Sequence, residues 1–205
     1  VAENPFLNMT QLYFRHSYIY EKVLSQITGE SFTMEDFQKG LDFSNRYTEY
    51  WSKYNNKVFE FYKSYGLKMA DFWIAYFIRP KTGMTPFSDP LTLFINNNFE
   101  ELTSITVHEL CHVLQIYPEN EDLQKKLYNH IQKVYPKNSF DLNTEIVTAI
   151  LARSGLVHIY GEEKTRELLA LEKELLILGK AWAIIDAQPA VLNENNPIEA
   201  ILKLK

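Results

Sequence analysis

Residues 99–117, "FEELTSITVHELCHVLQIY", constrain the fold of this chain more than any other stretch. Asn97 or Asn98 can cap a helix there, Glu100 and Glu101 suit its electropositive first turn, and Pro118 stops it. On a helical wheel Leu102, Ile105, Val107, Leu110, Cys111, Val113 and Leu114 fill most of the circumference. Glu101, Ser104 and Gln115 lie within about 40° of His108 and form one narrow polar stripe. A helix apolar on nearly every side belongs in an interior, so other elements must cover it.

A chain of 205 residues, 46% hydrophobic and 23% charged, can do this within a single domain, residues 1–205, without disulfides. The net charge of −5, with no Lys/Arg block longer than a pair, provides no footprint for nucleic acid or an anionic bilayer. No apolar run approaches the ~20 residues that span a membrane. The single Cys111 excludes an internal disulfide framework and permits a reducing compartment. The cytoplasm is therefore favoured, although the opening Val leaves room for a removed leader, and oligomeric state is left open.

Three sub-regions follow from the spacing of apolar residues and of Gly and Pro. Residues 1–66 read as a helical N-terminal lobe: one helix from Asn8 to Thr28 capped by Gly29, then further helix to Tyr65, closed by Gly66. Residues 67–161 hold two strands, "FWIAYFIRP" (72–80) and "LTLFIN" (91–96), joined by a hairpin-like turn, "KTGMTPFSDP". The 99–117 helix follows, then one opening at Asn120. Another runs from Asp141 to Ser154, closed by Gly155, with "LVHIYG" as a short strand or turn. Residues 162–205 read as one long helix, Glu162 to Ile185, and a tail with a short helical piece. The expected class is α+β, predominantly α-helical.

His108 and His112 differ by about 40° around the helix and stand one turn, ~6 Å, apart. Two imidazoles so placed can reach one ion at the ~2.0–2.1 Å of a Zn–N bond. A plainer reading turns the polar stripe toward solvent. Glu109 fits that poorly, since it sits between Ile105, Ile116, Leu102 and Val113, where an unpartnered carboxylate is costly.

His-Glu-x-x-His with apolar flanks resembles the signature of the zincin metallopeptidases, over about Phe72 to Gly155. The resemblance implies a zincin-like core with a small sheet over the His-Glu-x-x-His helix, one Zn2+ per chain and a peptide or protein substrate. It also implies Glu109 as general base, and an edge strand, Leu93, Phe94, Ile95 and Asn96, along which an extended peptide lies. The metzincin extension needs glycine and histidine where Gln115 and Pro118 stand. The gluzincin branch takes its third ligand from a glutamate on a later helix. Glu145, flanked by Thr148, Ala149 and Ala152, is the candidate, with Glu119, Glu121, Asp122 and His158 as rivals. Many gluzincins carry Asn before that glutamate and an acidic residue four positions on. Thr144 and Ala149 stand there, so the contact that orients a ligand histidine must come from elsewhere. His158 and Tyr160 are the nearest candidate donors to an oxyanion.

The expected function is zinc-dependent peptide-bond hydrolysis of gluzincin type. Its alternatives are a zincin-like metal binder without proteolysis, including a latent form whose cleft is filled by the tail, and a helical interaction domain in which the motif is accidental.

Overall fold

Leu12, Phe14 and His16 are buried while Tyr13 and Arg15 are exposed, an alternation of two that makes Gln11–His16 a strand, β1. The single helix expected from Asn8 to Thr28 is thus corrected to a strand followed by α1 (Tyr18–Thr28). Ser17 caps α1 by accepting from the Tyr20 N–H, and Gly29 ends it at φ 71°. The chain is described by a computed structural model over residues 10–81 and 84–205; Asn8 and the Thr82–Gly83 part of the expected turn lie outside them.

Two more helices, α2 (Met34–Trp51) and α3 (Asn55–Ser64), precede β2 (Phe72–Ile78). After β3 (Phe87–Ser88) and β4 (Leu91–Phe94), the four strands lie in the order β1-β2-β4-β3. β1, β2 and β4 are parallel, and only β3 runs antiparallel, beside β4. The hairpin expected between residues 72–80 and 91–96 is therefore absent, because the connecting segment returns past the sheet and lays down β3 before turning into β4. Residues 1–66 are no separate helical lobe either, since they supply the outer strand. Asn55 secures it: its Oδ1 accepts from Leu12 N and Trp51 Nε1, each at 3.0 Å, and its Nδ2 donates to Thr10 O.

The abundant rings form a layer between sheet and helices. Phe77 of β2 stacks on Phe14 and meets Phe43 and Tyr47 of α2 edge-on, with centroids 5.0–5.3 Å apart. The Tyr47 hydroxyl then reaches Thr103 and Thr106, 3.1 and 2.9 Å away, on α4 (Phe99–Ile116), which Asn98 caps. α4 is thereby held against the sheet side of the core. Asn120 clamps its other end by donating to Leu114 O and Lys68 O and accepting from Lys68 N.

After α5 (Glu121–Val134) comes α6 (Phe140–Tyr160), which packs against α3, α4, α5, α7 and α8. α6 does not stop at Ser154: it runs through Gly155 to Tyr160 and ends at Gly161, φ 80°. Gly155 serves a close approach instead of a cap. A Cβ there would stand 2.4 Å from the Tyr62 hydroxyl oxygen, which donates to Leu151 O and lies 3.1 Å from Cys111 Sγ.

The long helix expected from Glu162 to Ile185 is two, α7 (Glu162–Glu172) and α8 (Leu176–Asp186). Glu172 turns inward while Lys173 reaches across the break to Asp186 (2.6 Å). Gly179 lets α8 close on the Lys173 carbonyl, which an added Cβ would approach to 2.6 Å. The tail adds α9 (Pro189–Leu192) and α10 (Pro197–Leu202). Its Ile198, Ala200, Ile201 and Leu204 are buried, with α10 against α5 and α6. That segment is core. No helix among the described residues is long and apolar enough to cross a membrane.

Gly155→Ala should destabilise the fold by roughly 1–3 kcal/mol through overpacking. Tyr62→Phe removes the obstructing oxygen, so the same change should cost measurably less in a Tyr62→Phe background. Urea unfolding of the four-member cycle reads the coupling, and strict additivity would contradict it.

Candidate metal centre

The stripe on α4 faces protein. Ser104, His108 and Gln115 are all buried, because α6 and the end of α7 cover that side of the helix. α6 is apolar around most of its girth, with Ile146, Val147, Ala149, Ile150, Leu151, Ala152 and Leu156 buried. Against that background Glu145 points at α4. One of its oxygens lies 3.3 Å from His108 Nε2 and the other 3.5 Å from His112 Nε2. Donor atoms of the three residues all fall within 4.8 Å of one another.

Those separations suit a shared ion. Four donors at the ~2.0–2.1 Å of zinc bonds are ~3.3–3.4 Å apart along the edges of a tetrahedron. A charge-assisted contact with a protonated His108 is the alternative account of 3.3 Å, and it leaves the buried Glu145 Oε2 without a well-aligned hydrogen bond. A carboxylate with one oxygen against each imidazole, one of them orphaned, fits a site built for a cation.

Thr148 determines which His112 nitrogen is free. Its hydroxyl oxygen accepts from Gln115 Nε2 (2.7 Å) and donates its one proton to Thr144 O (3.0 Å). Toward His112 Nδ1, 3.1 Å away, it can therefore only accept. Nδ1 carries the proton and the Nε2 lone pair is left for Glu145's side of the site. Gln115, incompatible with a metzincin, has this task instead.

Glu109 is half-buried and makes no hydrogen bond or ion pair among the described residues. Burial raises its pKa, with His108 and His112 opposing. A further carboxylate, Glu172, comes from the last residue of α7. Ser104 Oγ donates to its Oε1 (3.0 Å), while Oε2 lies 3.7 Å from His108 Nδ1; both of the latter atoms are buried without a hydrogen bond. Glu172 was not among the residues singled out from sequence. The available signal was its position, since Thr165, Leu168, Leu169 and Glu172 share one helical face and the other three are buried.

The charges respond to this crowding. Burial alone would lower the His108 pKa, but the facing Glu145, Glu172 and Glu109 raise it to about 9. Burial alone would raise Glu145, yet His108 and His112 lower it to about 2.

Other expected participants lie elsewhere. His158 and Tyr160 are on α6 but roughly 20 Å along its axis from Glu145. His158 stacks on Phe61 beside a surface cleft of about 760 Å3, and the Tyr160 hydroxyl is 3.4 Å from that of Tyr50. Glu119 accepts from Tyr117 and Glu121 pairs with Lys125, so neither they nor Asp122 nor His158 joins the trio. Cys111 is buried against Tyr62. β4 is an inner strand with Leu93 fully buried. The edge strand expected over Leu93, Phe94, Ile95 and Asn96 is thus corrected: β4 ends at Phe94, and only its Leu93 and Phe94 lack a described strand on the β3 side. No family model, curated protein or solved structure matches the chain.

The protonated His108 fixes a pH dependence. Because its folded pKa is raised, its contribution to stability is full below about 6.5 and is lost as pH rises through about 9. Urea unfolding in chelator should show stability falling across that window. With saturating zinc the decline should vanish, because the ion displaces the proton. A flat metal-free profile would contradict this assignment.

Proposed function

We propose that the chain is a zinc-dependent peptidase of gluzincin type, built around a zincin-like core, with His108, His112 and Glu145 as ligands and Glu109 as general base. The observation that carries this reading is the meeting of Glu145 with both imidazole Nε2 atoms at tetrahedral-edge distances. Zinc suits the donor set, two imidazoles and one carboxylate, which leaves a fourth position for water.

Zn2+ held by His108, His112 and Glu145 would supply Lewis-acid activation of water. Glu109 adjoins His108 in sequence and has no competing partner. It accepts a proton as water oxygen bonds to the peptide carbonyl carbon, and returns it to the amine nitrogen as the C–N bond breaks. The raised pKa of Glu109 suits a group that must both take and give that proton near neutrality. An extended substrate would add beside Leu93 and Phe94. With His158 and Tyr160 distant, no oxyanion donor is assigned.

A second reading, metal binding without proteolysis, has one observation in its favour. The His108 side chain is only 7% exposed, and the 760 Å3 cleft does not border the trio.

Protein purified without added metal should contain about one zinc per chain and cleave an unfolded protein substrate. Glu109→Gln should keep the zinc and lose at least about 100-fold in turnover. Stoichiometric zinc with no cleavage by the parent selects the second reading; absence of zinc rejects both. Glu145→Ala should weaken zinc retention, and unchanged affinity would remove Glu145 from the ligand set.

A further inference from the structure

Glu172 occupies a position that gives the fold no evident benefit. Its carboxylate is buried, which is costly for a charge, and it stands at the C-terminal end of α7, where the helix dipole already presents negative potential. The adjacent cation does not compensate it, since Lys173 pairs with Asp186. One oxygen is held by Ser104. The other, Oε2, has no hydrogen bond and faces His108 Nδ1, itself buried and unbonded. On the other flank lies the buried indole N–H of Trp182, not aligned for a full hydrogen bond but oriented to favour the charged carboxylate.

The two ligand histidines are thus supported unequally. His112 has its Nδ1 proton fixed by Thr148 and Gln115, so its Nε2 is committed to accepting a cation. His108 has no completed bond at Nδ1. Glu172 Oε2 is 3.7 Å from that nitrogen, less than 1 Å beyond a charge-assisted hydrogen bond of ~2.7–2.9 Å. The helix bearing Glu145 offers no substitute, for Ala149 stands one turn after it.

We propose that Glu172 is the positioning residue for His108. In the metal-loaded protein its Oε2 accepts the His108 Nδ1–H, which holds the ring in the tautomer whose Nε2 lone pair meets the ion. The contact comes from the end of α7 and not from the helix that carries the third ligand, so the metal centre draws on three helices: α4, α6 and α7. This inference rests on the metal-site reading above and is separable from it.

The test is zinc affinity of the full chain by competition with a chromogenic chelator, together with 15N shifts of the imidazole nitrogens in the zinc-loaded protein. Glu172→Gln keeps the size of the side chain but cannot accept as a charged group. It should weaken zinc binding about 10- to 100-fold and shift the His108 Nδ1 signal while leaving that of His112 unchanged. Ser104→Ala, which releases the other carboxylate oxygen, should weaken binding less and in the same direction, and decides the matter if Glu172→Gln does not fold. Parental affinity in both variants overturns the proposal. So does weakened binding with an unmoved His108 signal, which would mark a merely structural role. A parent that binds no zinc rejects the site itself; loss of zinc in His112→Ala with full retention in Glu172→Gln rejects only the role given to Glu172.

Discussion

The packing of α4 against α6 is the contact on which the centre of this molecule depends. Donors on separate helices converge only if the helices lie close and do not slide, since one residue of slip carries a side chain ~1.5 Å along and about 100° around. Small residues supply the closeness: Ala149 and Ala152 are buried on α6, and Gly155 admits the Tyr62 ring. Tyr62 holds the alignment, because a single hydroxyl meets Leu151 O on one helix and Cys111 on the other. On the opposite side of α4, Tyr47 does the equivalent toward the aromatic layer through Thr103 and Thr106. The side chains that keep the donors in register are thus tyrosines from α2 and α3 with no part in the chemistry.

The charge balance follows from that closeness. Glu109, Glu145 and Glu172 surround two imidazoles in a region with little water, where like charges repel strongly. Without an ion, a proton on His108 offsets part of the excess, which is why that ring holds a proton well above its ordinary range. In the proposed metal-bound form a dication would offset more of that charge, and would compete with the proton for the same negative surroundings.

The motif helix and the glutamate that meets it were legible because both are breaks in a pattern: polar residues on an otherwise apolar helix, and one acid inside a buried one. What could not be read depended on distant partners. Leu12, Tyr13 and Phe14 satisfy helical and alternating spacing alike over so short a run, and β2 and Asn55, which make the stretch a strand, lie more than 40 residues away. Gly155 is an ordinary helix stop until Tyr62 explains it. Glu172 was obscured by the leucine-rich run around it, although it falls on the same buried face of α7 as Thr165, Leu168 and Leu169. The oxyanion donors proposed from sequence proximity failed for a related reason. A helix that continues carries its later residues away from the site, whereas a turn would have brought them back.

The amide of Asn55 has a consequence beyond holding β1. By occupying Leu12 N and Thr10 O it plugs backbone groups on the outer rim of the sheet that would otherwise template another strand. At the opposite rim β3 is only two residues long, too short to recruit one. Beyond Thr92 no described strand pairs with Leu93 or Phe94 on the β3 side. A side-chain amide at one rim and a truncated strand at the other thus make this sheet a poor seed for edge-to-edge aggregation.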